Sequence, residues 1–121
     1  MVVGGGDSKS LVYKFNTGTS RFELNETINH SSSDVNYVDI TEDHNLLIIT
    51  RSTLGKIEVY KHDGTSYQLS ETLSQSLSAV EWARMSGDGK YIIYGNLDRQ
   101  IYVFENAGSN YELVQYFDFG T

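Results

Sequence analysis

The chain has no cysteine, no proline and one tryptophan, and its nine Lys and Arg face sixteen Asp and Glu. Without cysteine there is no disulfide framework, no thiolate-ligated zinc and no thiol nucleophile. The formal charge of −7 and pI near 4.7 give a mean field that repels phosphate, so neither nucleic acid nor an anionic membrane is an expected partner. No apolar run approaches the roughly 18 residues of a membrane-spanning helix, so membrane insertion is not expected. The start, Met1-Val2-Val3-Gly4-Gly5-Gly6, lacks the basic and apolar regions of a secretory signal. Together with the missing cysteines, this favours a cytoplasmic location.

What is present is β-forming. Eleven Gly and nine Tyr in 121 residues suit strands joined by glycine turns, in a chain long enough for one ordinary domain. With proline absent, clusters of Gly, Asn, Asp and Ser mark the loops.

A repeat organises these strands. Gly64-Thr65-Ser66-Tyr67-Gln68-Leu69 returns as Gly108-Ser109-Asn110-Tyr111-Glu112-Leu113, and an earlier copy runs from Gly18 to Leu24 with one extra residue. Ile57-Glu58-Val59-Tyr60 matches Ile101-Tyr102-Val103-Phe104, and the segment from Val35 to Ile40 matches that from Val80 to Met85. Starts at 64 and 108, 57 and 101, and 35 and 80 give spacings of 44, 44 and 45, within the range of four-stranded propeller blades. About 2.7 units result, spanning approximately residues 1–33, 34–78 and 79–121.

Alternating and fully apolar runs place strands near 35–41, 46–50, 56–61 and 67–73 in the second unit, and near 80–85, 91–95, 100–105 and 111–117 in the third. The first unit lacks a first strand and supplies strands near 1–4, 10–16 and 22–28. Residues 78–85 could be helical on propensity alone, but their β-branched and aromatic counterpart at 35–40 makes both strands. The expected core between blades is Ile48, Ile49, Ile57, Val59, Ile92, Ile93, Ile101 and Val103. The aromatic series Phe22, Tyr67, Tyr111 and Tyr60, Phe104 belongs to the core, and Tyr37 and Trp82 pack between blades. Asp39 and Arg84, equivalent and opposite in charge, either pair across neighbouring inner strands or face a central channel.

The turn Ser86-Gly87-Asp88-Gly89-Lys90, the strand Ile101-Tyr102-Val103-Phe104 and the 44–45 spacing resemble the WD40-type β-propeller family. The departures are Tyr60-Lys61 and Phe104-Glu105 where a Trp-Asp pair would stand, and no Gly-His pair before a first strand. A lesser resemblance is to FG-GAP-like propeller repeats, whose calcium loops need alternating carboxylates that Glu42-Asp43-His44-Asn45 does not supply. The expectation is an all-β, β-propeller-like array of about three four-stranded antiparallel blades, a partial propeller. Closed propellers use four to eight blades, so the chain is expected to be a piece of a longer protein, to assemble with copies of itself, or to be completed by another chain. A lone array should not be a stable monomer.

No catalytic pattern emerges. His30, His44 and His62 fall at different places in the repeat, which does not favour a shared metal site. Serine is abundant, but no Gly-x-Ser-x-Gly elbow is present. Gly4-Gly5-Gly6-Asp7 precedes a strand, whereas a phosphate loop precedes a helix. No enzyme activity, cofactor or metal is expected. The resemblance implies a scaffold for protein–protein interaction; the alternatives are a structural subunit of a large assembly, or an enzyme or glycan-binding domain with its site at the channel mouth. Partner contacts are expected on the rim formed by loops 30–34, 51–55, 75–79 and 96–99, through Arg51, Ser52, Thr53, Asn96, Asp98 and Arg99. The partner is another protein, further blades, or a second copy of the chain.

Overall fold

The computed structural model describes residues 1–5, 7–30, 34–51, 55–76 and 78–120. No helix occurs among them. Eleven strands form three antiparallel sheets in chain order. Blade 1 is β1 (Val2–Gly4), β2 (Lys9–Asn16) and β3 (Arg21–Asn29); blade 2 is β4 (Val35–Ile40), β5 (Leu46–Arg51), β6 (Ile57–His62) and β7 (Tyr67–Leu73); blade 3 is β8 (Val80–Met85), β9 (Tyr91–Asn96), β10 (Gln100–Asn106) and β11 (Tyr111–Asp118). This is the β-propeller-like array expected from the repeat, with β8 a strand and blade 1 lacking its innermost strand.

Each meander is built from repeated local chemistry. At the turn between the first two strands, Asp43 Oδ1 accepts from Thr41 Oγ1 at 2.7 Å and from the Asn45 backbone N–H at 2.9 Å; Asp88 Oδ1 accepts from Ser86 Oγ at 2.7 Å and from the Lys90 N–H at 2.9 Å. These bonds hold both aspartates below the usual carboxylate range. The turn needs one residue with positive φ, supplied by His44 (61°) in blade 2 and more cheaply by Gly89 (75°) in blade 3. In each outer strand one residue is bulged. Val12 pairs with Glu26 and Tyr13 with Leu24, skipping Asn25; the same slip skips Ser70 in β7 and Val114 in β11.

Blade 2 is covered on both faces, and that is where the core lies. Toward blade 1 it presents Leu47, Ile49, Tyr60 and Tyr67, which pack with Val12 and Ile28. Toward blade 3 it presents Ile48, Ile57, Val59 and Leu73, which meet Val80, Ala83, Met85, Ile92, Tyr94, Tyr102, Phe104 and Tyr111. Burying each aliphatic side chain contributes about 1.5–3 kcal/mol.

Three expected core residues are not in it. Ile93, Ile101 and Val103 are only half-buried, because they share the far face of blade 3, which no described strand covers. They occupy the positions that Ile48, Ile57 and Val59 hold in blade 2, at 1%, 0% and 2% exposure. Phe22 is likewise exposed, unlike its buried counterparts Tyr67 and Tyr111, since no described strand covers the near face of blade 1. Nor does Tyr37 pack between blades: it is exposed, and the half-buried Trp82 lies over Gly95 of its own sheet, so close that a Cβ there would sit 2.5 Å from the indole nitrogen.

Polar contacts also join successive blades. β7 and β11 are sheet edges, whose outward N–H groups need acceptors. Glu26 accepts the Tyr67 N–H at 2.9 Å, and Glu71 accepts the Tyr111 N–H at 3.0 Å. The hydroxyls of these tyrosines donate to the backbone carbonyls of His44 and Gly89, fastening the outer strand to the inner turn. On the inner strands the Asp39 carboxylate accepts the Met85 N–H at 2.8 Å and pairs with Arg84 at 3.5 Å, so these two charges meet across neighbouring blades.

Covered and uncovered faces should respond differently to truncation. Ile57→Ala should cost about 2–5 kcal/mol in a denaturant titration. The equivalent change Ile101→Ala should cost less than about half of that in the lone chain, because its side chain is already partly in water.

Candidate functional site

One end of the array gathers the connections between second and third strands with those that pass from blade to blade. Asn96 is the hub. Its side chain is buried, with 3% of the residue exposed, and its bonding capacity is spent internally. Nδ2 donates to Ser76 Oγ at 2.8 Å and to Gln100 Oε1 at 2.9 Å, while Oδ1 accepts the backbone N–H groups of Asp98 and Gln100, both at 3.0 Å. Ser76 Oγ in turn accepts from the Ser78 N–H at 3.1 Å. The turn after β9 is thereby tied to the connection between β7 and β8. Gly55 completes the rim: a Cβ there would lie 2.4 Å from the Ser76 carbonyl oxygen, so only glycine lets the loop after β5 come this close.

The pinned turn presents Leu97, Asp98 and Arg99 to solvent. Leu97 is 60% exposed. Arg99 has a φ of 62°, an uncommon conformation for a side chain of this size, and its carbonyl accepts the Phe119 N–H at 3.1 Å. An open recess of about 550 Å³ lies beside Leu97, bounded by Tyr37, Val80 and Trp82. Asp98 and Arg99 border a second recess with Gln100 and Asp118.

The remaining sequence candidates have different settings. Ser52 and Thr53 lie outside the described residues. Arg51 is turned inward: its Nε lies 3.0 Å from Glu58 Oε1, with the two side chains 13% and 12% exposed. Asn96 acts on the rim from below, by fixing the backbone of the turn. The sequence offered no sign of this, because an asparagine that organises a turn and one that meets a partner look alike.

Glu58 belongs to a cluster that sequence reasoning missed. His30 Nδ1 is 3.9 Å from Glu58 Oε1, and His30 Nε2 is 3.0 Å from Ser10 Oγ. Serine, histidine and carboxylate follow one another in the order used by acyl-transfer enzymes. Ser10 is 0% exposed and the His30 side chain 1%, so a substrate carbonyl has no approach to Oγ. The cluster instead spans the interface between blades 1 and 2. Burial lowers the His30 pKa, opposed by Glu58 and reinforced by Arg51. Burial, then the Glu58 charge, pushes the Tyr60 phenol up to about 12, and the His30 ring meets Tyr60 edge-on at 6.4 Å. Neither partner was legible, because Ser10, His30 and Glu58 lie on three different elements with no fixed spacing.

No protein-family model and no curated protein matches the chain. Solved structures do. Saccharomyces cerevisiae Sqt1 superposes with a TM-score of 0.79 at 14% identity, over 98% of this chain and 32% of its own. A Lactobacillus plantarum protein superposes at 0.73 and 14% identity, over 92% of this chain and 36% of its own. At these identities the likeness is one of fold, and the chain spans about a third of either neighbour.

The His30 setting carries a pH signature. The folded state holds this imidazole neutral below its ordinary value of 6.5, so the unfolded chain binds a proton first as pH falls. Stability should therefore decline as pH drops below 6.5 toward the folded value. The urea midpoint should fall between pH 7.5 and 5.5, and His30→Gln should flatten that slope.

Proposed function

We propose that the chain is a non-catalytic protein–protein interaction module, a segment of a WD40-like propeller that contacts its partner through the rim after β9. The observation that carries this reading is the Asn96-pinned turn. An exposed leucine, aspartate and arginine are held on a backbone whose hydrogen bonds are satisfied underneath, so little conformational freedom remains to be lost on binding. Arginine is enriched among residues that dominate binding energy, and Arg99 stands in solvent in an acidic chain. The unlike surroundings of Arg51 make it a support for the blade interface in this reading.

A second reading, a structural subunit enclosed in a larger assembly, is favoured by the apolar side chains exposed at both ends of the array. The two differ in where they place the contacts.

The test is quantitative binding to the native partner by Arg99→Glu, with Lys61→Glu on the opposite rim as the control. Arg99→Glu should weaken binding by about tenfold or more, equivalent to roughly 1.4 kcal/mol, and leave the melting temperature unchanged. A control that abolishes binding while Arg99→Glu preserves it would place the contact on the other rim.

A further inference from the structure

The two inner strands share an irregularity at the recess beside Leu97. β4 slips against β5 between Val35 and Tyr37, so Asn36 has no opposite residue; β8 slips against β9 between Val80 and Trp82, so Glu81 has none. Asn36 and Glu81 are equivalent in the repeat, both are exposed, and both line the recess. A bulge of this kind re-aims the extra side chain out of the strand's alternation.

The two bulged residues are used differently. Asn36 Nδ2 donates to the Val80 carbonyl at 3.1 Å, which ties blade 2 to blade 3 and leaves Oδ1 without a partner among the described residues. An ionised carboxylate has no proton to donate, so Glu81 is not built for the same tie, whatever lies beyond blade 3. Among the described residues it has neither a hydrogen bond nor an ion pair. Arg84, the cation of the same strand, is committed to Asp39 at 3.5 Å. Backbone donors beside the recess are spent as well: the Leu97 N–H donates to the Ala79 carbonyl at 3.1 Å. Tyr37 is 43% exposed, and its ring stacks on no other ring and carries no cation among the described residues.

We infer that this recess takes an arginine side chain of the partner protein, with the Tyr37 ring, the Glu81 carboxylate and Asn36 Oδ1 as its contacts. The inference rests on the reading of this rim as a partner surface and names the chemistry that the surface receives.

Charge complementarity selects the occupant. No Lys or Arg lines the recess, so a phosphate or carboxylate finds no counter-charge, whereas Glu81 is an uncompensated anion. A guanidinium is planar. It lies flat on an aromatic ring while its edge N–H groups reach carboxylate and amide oxygens; an ammonium is a point charge without that fork. The volume of about 550 Å³ exceeds one side chain and admits the backbone that carries it. Leu97, 60% exposed, offers an apolar contact to the residue beside the arginine. The chain's charge of −7 favours the approach of a basic segment.

The probe is a fluorescein-labelled, end-capped peptide of glycine and serine carrying one arginine followed by one leucine. Its anisotropy should rise saturably with added protein at low salt, and the emission of Trp82, the one tryptophan of the chain, should change in step. Glu81→Gln and Tyr37→Leu should each weaken binding by about fivefold or more, with unchanged circular dichroism spectra. Tyr37→Phe, which keeps the ring, and Glu42→Gln, which removes one charge from the opposite rim, should leave it unchanged. Peptides with lysine or citrulline in place of arginine should bind more weakly. Absence of saturable binding, binding without a change at Trp82, equal loss from Glu42→Gln, or equal affinity for the lysine or citrulline peptide would each overturn the inference. Arg99 lies at the second recess, so Arg99→Glu should not weaken this peptide. A peptide that fails to bind while Arg99→Glu still weakens the native partner would sink the arginine site and spare the rim reading. The expected peptide results with Arg99→Glu harmless to the native partner would support the recess and sink the contact at Arg99.

Discussion

A sheet with apolar side chains on both faces is stable only between two other layers, and this requirement governs the molecule. Blade 2 meets it through Leu47 and Ile49 on one side and Ile48 and Ile57 on the other, all four at most 1% exposed. Blades 1 and 3 each meet it once. The contrast between Ile57 at 0% and the half-buried Ile101 therefore has nothing to do with strand quality, since both sit in regular antiparallel ladders. It reflects position in the stack. In arrays of this kind each unit draws its stability from its neighbours, and end units are poorer by one interface.

That distinction also marks the limit of what the sequence carried. Strand positions were legible because the 44–45-residue spacing locked several landmarks together. The ambiguous segment at 80–85 was resolved by its counterpart at 35–40. The core assignment failed at Ile93, Ile101, Val103 and Phe22, because hydrophobic pattern reports which side chains are built to be covered, and these have no cover among the described residues. The opposite charges at Asp39 and Arg84 did identify a real contact between inner strands.

The rim was legible only as a set of loops. Unlike the Asp43 and Asp88 turns, which share one spacing in the repeat, the network under the turn after β9 rests on Asn96 and Ser76, twenty residues apart, without an analogue among the described residues of blade 2. Arg51 illustrates the same difficulty from the other side. An arginine in an acidic chain reads as an interaction residue until the fold shows Glu58 beside it. Sequence gives the residue type; only the packing decides whether its charge is spent inside or offered outside.

The bulge in each outer strand has a further consequence. In an unbroken strand, residues four apart point the same way. Tyr67 and Glu71 do not: Tyr67 packs toward blade 1, while Glu71 reaches blade 3. The skipped residue Ser70 inverts the phase between them, so a single edge strand addresses both neighbours. Asn25, Ser70 and Val114 share no chemistry, yet each holds this place. The outer strand is thus constrained in count rather than in content. Removing one residue there would exchange the two halves of its wiring, whereas replacing it would leave the circuit intact.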